Sequence, residues 1–480
     1  MKIQLLKYLS LLFLASVLSI SCSKKPDHYN VLFIAVDDLN DWVGEFEGYP
    51  HPQTPNIDKL ASEAISFHKA YCPASVCNPS RASIMSGYRP STSGVYQNHH
   101  FMRDSELLKD AKTMPQWFSQ HGYHTTAMGK IFHHANGNWA DTISWDDWHK
   151  TTGNGMFKHP DWSDSMTVCG MPINKPGQAH FDWGVFDIEK EKTTDYKTAK
   201  WAADFLQTEH DKPFFIGCGI FRPHLPWYVP KEYFDRFPLD EIVLPEIKED
   251  DLDDVPPIGR EMAEGLEEES DYQRLKKYNL QKEAVQAYLA SSAYADDCVG
   301  VVLEALKNSK YKDNTIVVLW GDHGWHLGEK LHYRKYVLWE ESCRVPFIIK
   351  VPGNKKNGSE CHRMVNLIDL YPTLTELCNI PSNPANDGQS IVPLIESPEM
   401  TWPYATLTTM GYKKHTVRSE DWRYIQYPDS SEELYDHRVD PMEWTNLADL
   451  PENDSIKNEL KKWLPEVNAK EIEKKDPKKW

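Results

Sequence analysis

Two uninterrupted runs of apolar residues, at 30–36 and 315–320, constrain the fold of this chain more than any other feature of its sequence. Neither run alternates between apolar and polar residues, so each predicts a β-strand that is buried on both faces. Helix-like segments separate the strand-like segments, and this order of elements builds a mainly parallel α/β sheet flanked by helices. The predicted helices span 56–64, 114–121, 196–207, 282–306 and 367–378, and further strands span 125–128, 214–220 and 347–350.

The sequence after about residue 395 changes character, because short strand-like segments replace the long helices. Residues 416–418, 422–427 and 433–436 predict a small antiparallel sheet. We therefore expect an α/β domain at 30–395 and a small C-terminal subdomain that carries the antiparallel sheet at 396–480.

Two long segments of the α/β region lack the periodicity of a helix or a strand. Residues 239–275 are acidic, and we expect a solvated excursion at the surface. Residues 135–190 are rich in Trp, Gly, Asp and His, and a loop of this length is often functional or partly mobile.

The N-terminus predicts export. Residues 1–21 combine a basic start with a short apolar run at 9–20, which is too short to span a bilayer comfortably. The residues that end at Cys22 look like a bacterial lipobox, so we expect Cys22 to be lipidated and residues 22–29 to form a tether. A plain secretory signal is the alternative. Either way the predicted location is the periplasm or the cell surface, with membrane attachment only through the N-terminal lipid anchor.

The charge of the chain excludes two classes of partner. The formal net charge is −18 over 480 residues, which argues against nucleic acid and against electrostatic docking on an anionic membrane. Nine cysteines are present without a CxxC metal spacing, so no dense disulfide framework is predicted, and one or two disulfides remain open.

Polar residues follow both of the apolar strands. Asp37 and Asp38 come directly after the first, and Asp322 and His323 follow the second after one glycine. Open α/β folds bind ligands at the carboxyl ends of their parallel strands. Three carboxylates with one imidazole favour a hard divalent cation such as Ca²⁺ or Mg²⁺. Each pair taken alone could equally be a helix cap or a turn.

The segment Cys77-Asn78-Pro79-Ser80-Arg81, followed by Ser86-Gly87, carries the strongest functional signal. It resembles the signature of the sulfatase family, in which Cys-X-Pro-Ser-Arg is followed a few residues later by a Ser or Thr and then Gly. In that family a maturation enzyme oxidises the Cys to Cα-formylglycine (3-oxoalanine), whose hydrate attacks sulfur. The alternative reading is an ordinary Cys before the start of a helix.

Further motifs in the same order along the chain resemble the iduronate-2-sulfatase branch of that family. They are Gly129-Lys130-Ile131-Phe132-His133, Phe221-Arg222-Pro223-His224-Leu225-Pro226-Trp227, and Gly324 to Glu329 followed by Lys335. The branch has His at the position of His323, and it has Lys where this chain has Arg222. The resemblance implies an alkaline-phosphatase-like fold and a bacterial enzyme that degrades polysaccharide.

The resemblance also implies a metal site and a nucleophile. Asp37, Asp38, Asp322 and His323, together with the formylglycine derived from Cys77, would bind one divalent cation, with Ca²⁺ preferred to Mg²⁺. The cation would lower the pKa of the attacking hydroxyl.

The resemblance, together with the charge that sulfate-ester cleavage must move, implies roles for the remaining motif residues. Arg81 would anchor the hydrated formylglycine, while Lys130 and Lys335 would hold the sulfuryl oxygens. His224 would protonate the leaving alcohol and His133 would act on the opposite side, although these two roles could be exchanged.

Substrate contacts are predicted from proximity to the motifs alone. His99, His100, Arg103 and His134 could bind a uronate carboxylate or sugar hydroxyls, or they could lie on the surfaces of loops.

Three functions remain open at this point. The first is an exported sulfatase that acts on polysaccharide-derived oligosaccharides, with exo-acting cleavage of a uronate 2-O-sulfate favoured and with heparan fragments, dermatan fragments and algal ulvan as candidate substrates. The second is a phosphoesterase of the alkaline phosphatase superfamily, against which the Cys77 motif and the ligand count for a single cation argue. The third is an inactive glycan-binding relative, against which the intact set of motif residues argues.

Overall fold

A computed structural model of the chain describes residues 28–265 and 269–473. Its strands are β1 Asn30–Val36, β2 Ile65–Phe67, β3 Ala70–Tyr71, β4 His124–Gly129, β5 Asp147–His149, β6 Trp183–Val185, β7 Phe214–Ile220, β8 Trp227–Val229, β9 Thr315–Gly321, β10 His326–Leu327, β11 Tyr333–Arg334, β12 Phe347–Lys350, β13 Ser359–Cys361, β14 Val365–Asn366, β15 Thr406–Thr409, β16 His415–Arg418, β17 Trp422–Gln426 and β18 Glu432–Asp436. Its α-helices are α1 Pro55–Ser62, α2 Cys77–Ser86, α3 Pro90–Ser93, α4 Met114–Gln120, α5 Thr194–Phe205, α6 Lys231–Phe234, α7 Pro257–Glu264, α8 Asp271–Tyr278, α9 Gln281–Lys307, α10 Glu340–Cys343, α11 Leu370–Leu377, α12 Val392–Glu396 and α13 Asp454–Lys461.

An eight-stranded sheet forms the centre of the molecule, in the order β13-β2-β12-β9-β1-β7-β4-β5. The strands from β9 to β5 are all parallel, and β12 is antiparallel to both of its neighbours. The predicted mixed, mostly parallel sheet is therefore confirmed, and the two apolar runs of the sequence are its adjacent central strands β1 and β9.

The side chains of β1 show why that strand has no polar face. Leu32, Ile34 and Val36 pack into one hydrophobic core, which α1, α5 and α9 cover. Their neighbours Val31 and Phe33 point the other way, into a second core to which α4 and α11 contribute. Since successive side chains of a strand point to opposite faces, a strand between two helical layers must be apolar at every position.

The predicted C-terminal antiparallel sheet is also present. Strands β15 to β18 pair in sequence order, each antiparallel to the next. The chain end then returns to the α/β region, where the backbone N–H of Ala469 donates to the carbonyl of Ser91 and that of Ile472 to the carbonyl of Gly94. The exact boundary at residue 395 stays a prediction.

The acidic segment 239–275 is not simply solvated, which corrects our expectation. It contains α7 and the start of α8, and its residues Leu252, Val255 and Ala263 pack against the C-terminal sheet. Asp251 is buried and pairs with Lys330 at 2.8 Å, so one of the acids of this segment forms an ion pair in the interior. The apolar residues are too widely spaced to show a period, which hid the packing from sequence analysis.

The predicted signal, the lipidated Cys22 and all but the last two tether residues lie outside the described residues. Among the helices of the described ranges, none combines the length and the apolar character that a bilayer crossing requires. The eight cysteines in these ranges are all free thiols.

Candidate active site

The carboxyl ends of the two central strands bring the predicted metal ligands together. Val36 and Gly321 are register partners, so the residues that follow them leave the sheet side by side. The backbone N–H of Asp38 donates to the Asp322 carboxylate at 3.1 Å. Asp37, Asp38, Asp322 and His323 are all fully buried.

A left-handed residue allows two adjacent carboxylates to serve one site. Consecutive side chains of a strand point to opposite faces, so Asp37 and Asp38 would diverge if β1 continued. Asp38 instead has a φ of 59°, in the region that Asp and Asn enter more readily than most residues. The resulting sharp turn lets Asp37 pair with Arg81 and Lys130, and Asp38 with Lys335.

Helix α2 begins at Cys77 and delivers its thiol to this edge of the sheet. The Ser80 hydroxyl donates to the Asp322 carbonyl at 2.5 Å, which ties the first turn of the helix to the end of β9. The Cys77 Sγ lies 3.1 Å from Lys335 Nζ, 3.2 Å from His323 Nε2, 3.9 Å from Lys130 Nζ and 4.0 Å from the nearer oxygen of Asp38.

Arg81 braces the site from one turn further along α2. Its guanidinium donates to Asp37 at 2.9 Å, to Asp322 at 2.8 Å and to the Ile131 carbonyl at 3.0 Å. The Arg81 side chain is completely buried. Because its planar guanidinium donates to both Asp37 and Asp322, it fixes the relative positions of the two carboxylates. Arg81 therefore holds the ligand strands and the Lys130 loop in register.

Lys130 reaches the site because two glycines let β4 and β7 approach closely. Gly129 has a φ of +87°, and a Cβ there would lie only 2.0 Å from the Gly219 carbonyl oxygen. The Lys130 ammonium then pairs with Asp37 and lies 4.7 Å from the ring centroid of Phe221.

Lys335 approaches from the other side on a strained loop. Its ammonium pairs with Asp38 at 2.6 Å and lies 5.3 Å from the Trp325 ring. The flanking residues Arg334 and Tyr336 have φ values of 81° and 79°, which side chains of their size adopt at a cost of about 1–3 kcal/mol each. Such strain clusters at functional sites because the surrounding structure enforces it.

The electrostatic field at Cys77 is strongly positive. Burial alone would raise the pKa of the thiol, but the charges of Lys130, Lys335 and His323 outweigh burial and hold the pKa well below its usual range. Burial also opposes ionisation of Asp37, and Lys130 and Arg81 overcome it, so that the pKa of this carboxyl falls below normal.

The same groups fit a divalent cation. Ligand atoms of Asp37, Cys77, Asp322 and His323 lie within 4.8 Å of one another. One oxygen of Asp38 is buried and accepts no hydrogen bond within the described part of the chain. A buried carboxylate oxygen without a donor is costly, and a cation is the partner that would satisfy it.

Two histidines flank the cluster on its open side. His224 is hydrogen-bonded through Nδ1 to the Leu225 carbonyl at 2.6 Å, so its Nε2 faces the site, 3.9 Å from Asp38. The His133 side chain interacts with the Cys77 thiol, and burial lowers the pKa of this imidazole. Both predicted acid–base residues therefore lie at the cluster.

A cavity of about 390 Å³ opens beside Lys130 and His133. Its other walls come from the end of β7, from the start of α5 and from the long segment 135–190. His134, one of the predicted substrate contacts, lies in the lining together with Asn136, Thr151, Asn154, Phe157 and Asp195.

The other three predicted substrate contacts are placed differently. His99 is exposed and meets the His100 ring edge-on, and the Nδ1 of His100 accepts the backbone N–H of Tyr96 at 3.1 Å. Arg103 pairs with Asp141 at 2.7 Å and donates to two backbone carbonyls. The hydrogen bonds of His100 and Arg103 thus hold loops together.

Sequence analysis missed two residues that position the site. The buried Asp195 carboxylate accepts the backbone N–H groups of Phe221 and Arg222 at 2.9 and 3.0 Å, and so anchors the loop that carries His224. Asn78 donates to the carbonyls of Gln97 and His100, which fixes the 97–100 loop against α2. Asp195 lies on an amphipathic helix, and only its place at the N-terminus of α5 could have drawn attention to it.

Comparison with known proteins decides the family. The sulfatase family profile matches residues 29–380. This chain belongs to the sulfatase family. A second profile, for the C-terminal part of N-sulphoglucosamine sulphohydrolase, matches residues 328–470. The predicted sulfuric ester hydrolase is thereby confirmed.

Individual relatives agree with this assignment. A sulfatase of Formosa agariphila is 37% identical over 453 residues, which cover 93% of this chain and 88% of the relative. Iduronate 2-sulfatase of Mus musculus is 30% identical over 400 residues, 75% of this chain and 70% of the relative. A solved structure of a protein in complex with its substrate D-glucosamine-2-N,6-O-disulfate superposes with a TM-score of 0.70 at 23% identity, over 91% of this chain and 96% of the other.

Membership in the family accounts for the chemistry of the cluster in general terms. Sulfatases of this family use a formylglycine and a divalent metal, and Cys77 and the surrounding acids are the residues of this sulfatase that fit both. The individual roles predicted for Arg81, Lys130, His133, His224 and Lys335 stay predictions.

Proposed function

We propose that this sulfatase removes sulfate from uronate residues of polysaccharide-derived oligosaccharides, with the 2-O position as its preferred target. Water hydrolyses the ester, the sulfur–oxygen bond to the sugar breaks, and the sugar alcohol and inorganic sulfate are released. The observation that carries the proposal is the convergence of Lys130, Lys335 and His323 within 4 Å of Cys77 in a chain of net charge −18. The similarity to an iduronate 2-sulfatase supports the choice of uronate.

The two lysines supply the local attraction that the acidic surface lacks. Lys130 pairs with Asp37 and lies 3.9 Å from the Cys77 thiol, and Lys335 pairs with Asp38 and lies 3.1 Å from it. A sulfuryl group bound at the Cys77 position would place its own oxygens beside the two ammonium groups, where the Asp37 and Asp38 carboxylates now lie. Fixed cations in a buried site stabilise developing negative charge far better than mobile ones in water.

Two groups must be added to the chain for this chemistry. Formylglycine made from Cys77 supplies, as its hydrate, the nucleophilic hydroxyl. A divalent cation, for which we propose Ca²⁺ over Mg²⁺, supplies positive charge that favours ionisation of that hydroxyl. Asp37, Asp38, Asp322 and His323 would hold the cation, and the Asp38 oxygen that accepts no hydrogen bond from the described residues supports this assignment.

The histidines divide the proton transfers between them. We assign to His224 the protonation of the leaving sugar oxygen, because its Nε2 faces the cluster from a half-buried position. His133 borders both Cys77 and the cavity, and so suits removal of a proton when sulfate departs.

The proposed setting is outside the cytoplasm. The apolar run at 9–20 and the Cys22 sequence support export as a lipoprotein to the periplasm or cell surface. A maturation enzyme in the same cell would then be the obligatory partner, acting on Cys77 before folding buries it.

The test is sulfate release by protein co-expressed with a formylglycine-generating enzyme, with Cys77→Ala as the matched control. The substrates are 2-O-sulfated heparan and dermatan disaccharides, ulvan oligosaccharides and a phosphate monoester. Peptide mass spectrometry first establishes that Cys77 has been converted.

Release from the 2-O-sulfated uronates and none by Cys77→Ala is the expected result. Release from ulvan alone would keep the mechanism and move the substrate to an algal polysaccharide. Release of phosphate alone, or no release by fully converted protein, would overturn the proposed function.

A further inference from the structure

A second group of metal-binding side chains lies at the edge of the central sheet, on segments that the catalytic cluster does not use. His68 follows β2, Glu360 is on β13, and His362 follows β13. Their ligand atoms, the two imidazole nitrogens and a carboxylate oxygen, lie within 4.8 Å of one another. Glu45, in the loop that follows β1, approaches the same point.

The backbone explains why these residues meet. β2 and β13 are parallel neighbours, with Phe67 opposite Cys361, so both strands end at the same level. The N–H of His68 then donates to the Cys361 carbonyl at 2.9 Å. One further residue along each strand, the imidazoles of His68 and His362 face each other with ring centroids 4.8 Å apart.

The distances suit a tetrahedral ion. Glu360 Oε2 is 3.1 Å from His362 Nε2 and 3.9 Å from His68 Nε2, and Glu45 Oε1 is 3.9 Å from His68 Nε2. Ligands at 2.0–2.1 Å from a tetrahedral zinc lie about 3.3 Å from one another. Small rotations of exposed side chains would therefore close the shell around one ion.

The inner histidine is left without a hydrogen-bond partner. His68 Nε2 is buried, and no described residue donates to it or accepts from it. An orphaned imidazole nitrogen in the interior costs free energy unless water or an ion satisfies it. It points at two carboxylates and a second imidazole, which together form a ligand set typical of zinc.

The surrounding charge favours a cation as well. Asp58 and Glu47 lie near Glu45 and add negative charge. The positive charge of Arg344 acts on His68, but its guanidinium pairs with Asp41 and Glu340 and so is largely neutralised. Two imidazoles with carboxylates select Zn²⁺ over Ca²⁺, which prefers an all-oxygen shell.

We propose that His68, His362, Glu360 and Glu45 bind a Zn²⁺ ion that is separate from the catalytic cation. The ion joins the end of β2, the end of the edge strand β13 and the loop that continues from the catalytic Asp37 and Asp38. It would therefore stabilise the fold around the active site without contacting substrate.

The test is a zinc titration of tag-free protein in excess Ca²⁺, followed by calorimetry and metal analysis. The variants are His362→Ala and Glu360→Gln, both at exposed side chains, with His68→Ala as the partly buried member. His51→Ala is the matched control, because it removes an exposed histidine that lies outside the group.

Wild type and His51→Ala are expected to bind one more Zn²⁺ per chain than His362→Ala and His68→Ala, and Glu360→Gln to bind it at least about 10-fold more weakly. Zinc should raise the Tm of wild type and leave that of His362→Ala unchanged. Equal zinc stoichiometry in all the proteins would overturn the proposal. Zinc that enters the catalytic site instead would appear equally in every variant.

Discussion

Two networks of buried charge in the described part of this sulfatase differ in whether every carboxylate oxygen has a hydrogen-bond partner. The catalytic cluster surrounds Cys77 at the end of β1 and β9. The second network joins α10 to the C-terminal sheet and contains Glu340, Arg418, Arg423, His437 and Glu443, with Tyr71 at its edge.

The second network is closed. One oxygen of Glu340 accepts the Tyr71 hydroxyl at 2.7 Å, and the other pairs with Arg418 and Arg423. One oxygen of Glu443 pairs with Arg423 and with His437, and the other accepts the backbone N–H of Glu340 at 3.0 Å. All four carboxylate oxygens are satisfied by the protein itself.

The catalytic cluster is open. One oxygen of Asp38 has no donor among the described residues, two ammonium groups converge on a thiol, and a cavity reaches Lys130. An unsatisfied buried network costs stability unless a ligand completes it. The comparison teaches that a gap in the hydrogen bonding of a buried network, more than the number of its charges, marks the site that binds something.

The largest effect is expected from opening the closed network. Arg423→Met leaves Glu340 and Glu443 buried without their main partner, and should lower the free energy of unfolding by about 3–5 kcal/mol. Urea unfolding measures this loss, and turnover per folded molecule should stay near wild type. Lys231→Ala, which breaks an exposed pair with Asp235, should change stability by about 0.5 kcal/mol or less. Equal effects of the two substitutions would contradict the comparison.

The catalytic cluster should respond in activity instead. Lys335→Ala removes one of the two cations that we propose to hold the sulfuryl oxygens, and should reduce kcat by about 10²–10³-fold. Steady-state kinetics on the matured protein measure the loss, beside a melting curve that should show a folded protein. The exposed Lys355→Ala is the control, and a drop in its kcat, or none for Lys335→Ala, would speak against the assigned role.

The closed network should also set the acid sensitivity of the fold. Burial opposes ionisation of Glu443, but Arg423 and His437 lower its pKa to about 2. A carboxyl whose pKa is depressed on folding stabilises the protein above its unfolded value, near 4.5, and loses that contribution as the pH falls toward 2. The stabilisation at neutral pH is of the order of 3 kcal/mol.

Glu443→Gln should therefore be less stable than wild type at pH 7, and the difference should shrink progressively below pH 4.5. Chemical unfolding at a series of pH values would show this convergence. A stability difference that is constant from pH 7 to pH 3 would mean that Glu443 does not ionise as described.

The smallest effect is expected at Asp195, which holds the loop that carries His224. Asp195→Asn replaces one of two carboxylate acceptors that hold the Phe221–Arg222 backbone, and should loosen the loop that carries His224. We expect kcat to fall about 10-fold, which corresponds to about 1.4 kcal/mol, with little change in Tm. Activity at the wild-type level would show that the loop is fixed by its other contacts.

The ligand strands and the nucleophile could be predicted because their signals are local. Strand β1 is apolar at every buried position because both of its faces are covered. The acids that follow this run mark the point where the strand ends. The Cys77 segment is equally local, since one turn of α2 carries the thiol, Ser80 and Arg81. Asp195 could not be predicted, because its partners are two backbone N–H groups 26 and 27 residues away.

The sequence by itself determined the family, the mostly parallel sheet and the residues with the chemistry to cleave a sulfate ester, because each depends on short patterns of side chains. Only the tertiary structure decided which charges share a network, which oxygen of Asp38 lacks a donor, and that His68 meets His362 at the edge of the sheet. Those facts depend on strand register and on loop conformation, and both arise from contacts between residues far apart in the chain.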